Sequence, residues 1–239
     1  MDTSRKVTTS DYAWTRFLVP RDGRLTLADD GFLADPEGLF GRAANADLQR
    51  LEDVMGFPCL VLLGERGIGK SRTLKALAAS EPGPERSAVV DIGGVASDEA
   101  LEAKLKRNPD YVAWKGCGGK LFLYLDSLDE CFVRAGSLKR NILELIGDLP
   151  NDTLRLRIAC RTGHWPATLE TGLEGALKSP PGIFEIAPLR RKDVLLAATT
   201  ERLDGGSFIA AVEVAHAAPF AANPVTLSML LGLFRGVSR

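Results

Sequence analysis

Residues 59–71 read CLVLLGERGIGKS: an unbroken apolar run, then a glycine-rich turn, then the start of an amphipathic stretch. Five apolar residues without alternation suit a strand covered on both faces of a parallel sheet. GERGIGKS (64–71) fits the pattern G-x-x-x-x-G-K-[ST] at Gly64, Gly69, Lys70 and Ser71. Glycines let successive backbone N–H groups turn inward around a phosphate, and the helix N-terminus behind them adds a positive end. Lys70 is placed to reach β- and γ-phosphates, and the Ser71 hydroxyl to ligate Mg²⁺. The expected nucleotide-binding segment is therefore Gly64, Glu65, Arg66, Gly67, Ile68, Gly69, Lys70, Ser71 and Arg72. A glycine-rich turn arising by chance is the plain alternative, and the strand and helix signals on either side weigh against it.

Outward from this stretch, strand and helix signals alternate. RTLKALAA (72–79) puts Leu74, Leu77 and Ala78 on one helical face. EPGPE is a turn, and SAVVDI (87–92) a second strand. Ser97 caps a helix carrying Leu101 and Leu105 that stops at Asn108-Pro109. KLFLYLD (120–126) is a third strand, and Ser137 opens a helix with Leu138, Ile142, Leu145 and Ile146 on one side and Gly147 as its stop. LRLRIAC (154–160) alternates, so its first half is expected to have one open face or to let Arg155 and Arg157 snorkel outward, and IFEIAPL (183–189) is a fifth strand. Strands alternating with helices imply an α/β fold with a parallel five-stranded sheet, right-handed crossovers and helices on its faces. Residues 1–57 read as a lead-in containing a short helix, NADLQRLEDVM. Residues 58–189 are the core, and 190–239 begin a helical subdomain.

Composition narrows the function. Apolar residues make up 45% of the 239 and charged residues 26%, the profile of a soluble globular chain. With 30 basic against 31 acidic residues, no basic footprint for nucleic acid stands out. Cys59, Cys117, Cys131 and Cys160 form no CxxC pair, and His164 and His216 lie too far off for a zinc pattern. Unpaired thiols suit a reducing, cytoplasmic setting. The N-terminus has no apolar signal region, and the tail from Phe208 to Phe234 is broken by Glu213, His216, Pro219, Asn223 and Pro224, so no membrane span is expected.

The second constellation is LFLYLDSLDE (121–130). A buried strand ends in Asp126, where a parallel sheet presents its strand tips to a ligand, so Asp126 is placed to hold Mg²⁺ through water. Asp129 and Glu130 follow within one turn, and one of them is suited to polarise an attacking water. An acidic loop capping the next helix is the bland alternative.

GERGIGKS together with LFLYLDSLDE resembles the NACHT branch of the STAND ATPases, whose second motif carries a small residue after the metal-binding acid and then two further acids. Here these are Ser127, Asp129 and Glu130. The resemblance implies three more roles. Arg161 and Thr162, in RIACRTGHWP (157–166), fall where the family has a polar or basic sensor. Phe40, Gly41 and Arg42, in GLFGRAANADLQRL (38–51), fall where a segment packs on the base, with Ala43 in place of the usual acid. Pro224, in ANPVTLSML, falls where a proline presses on adenine, although Asn-Pro is also simply how helices begin. His216 lies too early for the family's winged-helix histidine. The match covers about residues 38–235, and the winged-helix, repeat and effector parts of such proteins do not fit in this length.

The resemblance thus implies an α/β P-loop NTPase fold of the AAA+-like kind with strand order 5-1-4-3-2, and a slow Mg²⁺-dependent ATPase, binding ATP or ADP, that serves as the switch domain of a signalling or antiviral-defence protein. Its partners would be the nucleotide and the remainder of a larger parent, or further copies through the C-terminal helices. There Leu227, Leu230, Leu231 and Phe234 form an apolar stripe expected to lack a partner and to drive association. Rival readings are a P-loop small-molecule kinase, a nucleotide-binding scaffold, and an AAA+ motor or loader with Arg134, Arg140 or Arg190 as the arginine finger.

Overall fold

The computed structural model describes Tyr12 and residues 14–28, 31–80, 86–95, 97–134, 142–144, 146 and 153–237. In chain order the strands are β1 (Phe17–Pro20), β2 (Leu27–Ala28), β3 (Phe32–Leu33), β4 (Gln49–Arg50), β5 (Cys59–Leu63), β6 (Arg86–Asp91), β7 (Leu121–Asp126), β8 (Leu154–Cys160) and β9 (Gly182–Ile186). The helices are α1 (Gly41–Ala44), α2 (Lys70–Ser80), α3 (Asp98–Lys106), α4 (Pro109–Cys117), α5 (Leu128–Arg134), α6 (Ala167–Leu177), α7 (Arg191–Thr200), α8 (Gly205–Val214), α9 (Ala218–Ala221) and α10 (Pro224–Val237). They form two compact units. Of the described residues, the first holds those within 17–24 and 47–187; the second holds those up to Arg16, within 25–46 and from Pro188 onward.

In the first unit one sheet runs β4-β1-β9-β5-β8-β7-β6. The pairs β9·β5, β5·β8, β8·β7 and β7·β6 are parallel, while β1 is antiparallel to both β9 and β4. The fold is thus α/β with a parallel core, but the sheet is mixed and has seven strands where a wholly parallel five-stranded one was expected, β1 and β4 being added beyond β9. The two extra strands come from the lead-in. β1 is four residues, FLVP, with Phe17, Leu18 and Val19 buried. β4 is only two residues long, and a short edge strand offers little template for unwanted pairing.

Alternate residues of β5 serve different cores. Val61 and Leu63 pack with Ala88, Leu123, Ile158, Leu105 and Trp114, while Leu60 and Leu62 pack with Leu74, Leu77, Tyr124 and Phe184. Burial on both faces is what an unalternating CLVLL encodes, and each such leucine contributes about 2 kcal/mol of transfer free energy. The segment NADLQRLEDVM is not a helix. Gln49 and Arg50 pair with Leu18 and Phe17, and residues Leu51–Val54 make a single 3-10 turn that Asp53 closes by accepting the Arg50 N–H at 3.1 Å. Asn108-Pro109 ends one helix but also starts the next. The Asn108 side chain accepts from the N–H groups of Asp110 and Tyr111, so α4 begins where only a stop was expected. Of the helix expected from Ser137, residues 142–144 and 146 are helical, while Ser137, Leu138, Leu145 and Gly147 lie outside the described residues.

Arg157 corrects the alternation reading. It does not snorkel: it is fully buried in β8 and donates to the carbonyls of Phe57 at 2.8 Å and Met55 at 2.7 Å, with its guanidinium over the Phe122 ring. The loop entering β5 is thereby tied to the neighbouring strand. Arg157→Leu leaves those carbonyls without this donor and is expected to lower stability by about 2–3 kcal/mol, read as a shift of the urea midpoint at constant slope.

The second unit is built on Phe32, Leu189, Val194, Ala197, Phe208, Ile209, Val212, Leu227 and Leu231. The C-terminal stripe is not orphaned within it. Leu227 and Leu231 are buried, Leu230 and Phe234 pack beside them, and Phe234 meets the Phe208 ring edge-on at 5.3 Å. What α10 leaves exposed is Val225, Met229 and Leu233. Arg190 is equally committed. Buried at the start of α7, it pairs with Asp193 at 2.8 Å, Asp35 at 3.1 Å and Glu37 at 2.6 Å, which removes it as a free arginine finger. Lys192 joins Asp35 and Glu37 at 2.7 Å each. Hydrogen bonds from Lys192 and then Arg190 hold the Glu37 carboxyl below its ordinary pKa. The 35–37 corner lies so close to α1 that a side chain on Gly41 would meet the Asp35 carbonyl oxygen, which explains the glycine.

Candidate phosphate-binding site

In the first unit β5 ends at Leu63, the loop Gly64–Gly69 follows, and α2 begins at Lys70. Gly67 (φ 85°) and Gly69 (φ 105°) occupy backbone conformations that side chains rarely adopt. A Cβ on Gly64 would come within 2.7 Å of the Ile68 side chain. Ile68 itself is buried in the core beneath the loop, so its side chain anchors the turn rather than facing a ligand. Glu65, Arg66, Ser71 and Arg72 are exposed. Lys70 Nζ donates to the Gly64 carbonyl at 2.7 Å and the Glu65 carbonyl at 3.0 Å, so the ammonium lies along the loop.

β8 lies between β5 and β7, and all three run parallel. Their C-terminal tips therefore bring three pieces to one edge of the sheet: the loop, Asp126 and Arg161. Asp126 is nearly buried and accepts the Ser127 N–H at 2.9 Å. Ser127 sits at φ 63°, a left-handed conformation that costs a non-glycine residue about 1–2 kcal/mol. That turn bends the chain from the strand into α5, which carries Asp129 and Glu130 on its first turn.

Sequence reading gave Asp129 and Arg161 separate roles, and the structure makes them a pair. Asp129 is 5% exposed and takes the Arg161 side chain at 2.8 Å and the Arg161 backbone N–H at 3.2 Å, one on each oxygen. Glu130 is half exposed, with Arg161 at a looser 3.9 Å. Burial holds the Lys70 pKa below the ordinary lysine value. The negative charge of Asp129 opposes that shift and the positive charge of Arg161 adds to it, so the three groups share one electrostatic neighbourhood. Burial also pushes the Cys160 thiol beside them up to about 12, which keeps it neutral and inert near pH 7. Cys59 behaves alike; Cys131 is buried too, and Cys117 is exposed.

The remaining predicted residues belong to the second unit. Phe40 precedes α1 and is 83% exposed, next to Leu39 at 88%. Arg42 is in the same short helix. Pro224 is the first residue of α10, and Asn223 accepts the Val225 N–H at 3.0 Å, so local capping accounts for the Asn-Pro pair. Arg140 and the side chain of Arg134 lie outside the described residues.

No protein-family model matches the sequence, and no curated protein matches it. Among solved structures, a Walker-type ATPase of Pyrococcus abyssi is similar at 16% identity and a TM-score of 0.49, over 78% of this chain and 65% of that one. A Thermotoga maritima RuvB is similar at 16% identity and 0.48, over 74% and 54%. Domain III of the Thermotoga maritima replication initiation protein DnaA is similar at 13% identity and 0.45, over 78% and 80%. The chain thus spans less than two thirds of the length of the first two.

Proposed function

We propose that the chain binds ATP or ADP with Mg²⁺ at the 64–71 loop, hydrolyses ATP slowly, and acts as the nucleotide-dependent switch domain of a NACHT/STAND-type signalling or defence protein. The observation that carries the reading is the gathering of Lys70, Asp126, Asp129 and Arg161 where β5, β7 and β8 end, beside a loop whose Gly67 and Gly69 take backbone conformations that suit glycine. The donor set suits Mg²⁺, a hard cation that takes oxygen ligands and keeps several waters. Ser71 Oγ would hold it directly and Asp126 through water. Bound Mg²⁺ would supply charge neutralisation for the phosphates.

The chain's own residues do the rest. The backbone N–H groups of Gly64–Ser71 cradle the phosphates, and Lys70 exchanges its loop carbonyls for phosphate oxygens. Glu130, the more exposed acid, orients and deprotonates the attacking water. Asp129, with both oxygens taken, holds Arg161 toward the γ-phosphate. In this division of labour residues 58–189 do the chemistry, with 1–57 a lead-in and 190–239 a partial helical subdomain.

Release of inorganic phosphate from ATP, with and without Mg²⁺, tests the reading. Asp126→Asn should raise the Mg²⁺ concentration needed for half-maximal rate about 10- to 100-fold, as loss of an outer-sphere metal partner does. A Mg²⁺ requirement unchanged by that substitution would remove Asp126 from the metal site.

A further inference from the structure

Gly93 follows β6 in a turn that the strand tips enclose. Its N–H donates to Asp91 Oδ1 at 3.0 Å, and the Ile92 N–H donates to the Asp126 carbonyl at 3.0 Å, which joins this turn to the tip of β7. A Cβ built on Gly93 would lie 2.8 Å from Glu130 Oε2, 2.9 Å from Ser127 Cβ and 3.3 Å from Asp91 Oδ1. Gly93 is not among the residues with positive φ, so its backbone would accept alanine. It is glycine for room. Gly94, next in the chain, has open space around a Cβ and is also not left-handed.

We propose that Gly93 is the positioning residue for Glu130: its bare Cα is the seat on which the Glu130 carboxylate rests. The proposal rests on the reading of Glu130 as the group that activates water. The logic is steric. Glu130 projects from the first turn of α5, half exposed, with its ion-pair partner Arg161 at a loose 3.9 Å, so neither burial nor a tight pair fixes its carboxylate. The Gly93 turn bounds it on one side, where a Cβ at 93 would stand 2.8 Å from its Oε2. Asp91 holds that peptide by accepting its N–H, and Ser127, itself in a left-handed conformation, closes the other side. A methyl group at 93 displaces the Glu130 oxygen by enough to spoil its line to a water, while the phosphate loop after β5 is untouched.

The test is ATP turnover and nucleotide affinity of Gly93→Ala, with Gly94→Ala as control. Gly93→Ala should lower kcat about 10- to 100-fold, the cost of misplacing a catalytic group by about an ångström, with nucleotide affinity unchanged and Gly94→Ala like wild type. In a Glu130→Gln background Gly93→Ala should have no further effect on kcat, because residues acting through one group are not additive. If the Ser127 contact prevents Gly93→Ala from folding, Ser127→Gly/Gly93→Ala removes that Cβ and is compared with Ser127→Gly alone, with the same loss expected. A kcat within twofold of the parent, or an equal loss in the Glu130→Gln background, overturns the proposal while leaving the ATPase reading intact. A wild-type chain that binds nucleotide but releases no phosphate defeats the ATPase reading, and this proposal with it.

Discussion

Lys70→Ala is expected to abolish measurable ATP binding, with affinity falling at least about 100-fold, or roughly 2.7 kcal/mol. On the proposed reading the ammonium is the side-chain cation that the loop offers to phosphate, and charge-assisted hydrogen bonds to phosphate oxygens are the strong ones. Its ties in the free chain are modest: two loop carbonyls, at 2.7 and 3.0 Å. Burial lowers its pKa, so its charged form costs the folded state something. Because the unfolded chain binds that proton more tightly, this cost fades as pH rises through the folded pKa toward the ordinary lysine value. The substitution should therefore leave the melting temperature within about 4 °C of wild type. Titration calorimetry beside a thermal melt separates the two effects. Equal binding by wild type and variant would mean that the loop is not the site.

Glu130→Gln should keep nucleotide affinity and lower turnover about 10²- to 10⁴-fold, the range spanned by loss of a positioned general base. The glutamine is isosteric and keeps the seat at Gly93, so what is lost is the capacity to accept a proton. Asp129→Asn should act differently. It removes the charge that holds Arg161 at 2.8 Å, so turnover falls with a weaker preference for ATP over ADP. Single-turnover rates and ATP and ADP affinities for the two variants make the distinction. If neither carboxamide alters turnover, both acids leave the mechanism and a binding scaffold becomes the better account.

The glycine turn between β5 and α2 and the acid at the tip of β7 were legible because local chemistry dictates them. A buried strand must be apolar on both faces, a phosphate turn needs glycines, and the residue types follow. The lead-in strands were not legible. β1 is four residues ending at a proline, beside a turn-rich stretch, and β4 is two residues whose extended form exists only because Phe17 and Leu18 lie beside them. Pairing across the sheet overrode the helical look of NADLQRLEDVM. Arg157 misled for a similar reason. Alternation in LRLRIAC suggests an open face, but the carbonyls of Met55 and Phe57 form a buried acceptor site that sequence does not display. The Asp129–Arg161 pair joins residues 32 apart in the chain, and the Gly93 seat is a matter of free space, which no residue type announces. The C-terminal stripe was read correctly as apolar, and its partners, among them Phe208, were already in the chain.

Amide hydrogen exchange of the whole chain, with and without saturating Mg²⁺–ATP, tests the central claim most directly. If the 64–71 loop cradles phosphates with its backbone N–H groups, exchange there must slow on binding, with a second zone of protection at 126–130 and weaker effects elsewhere in β5–β8. Lys70→Ala must erase the difference. ATP that binds while the amides of 64–71 exchange as fast as before would contradict the account.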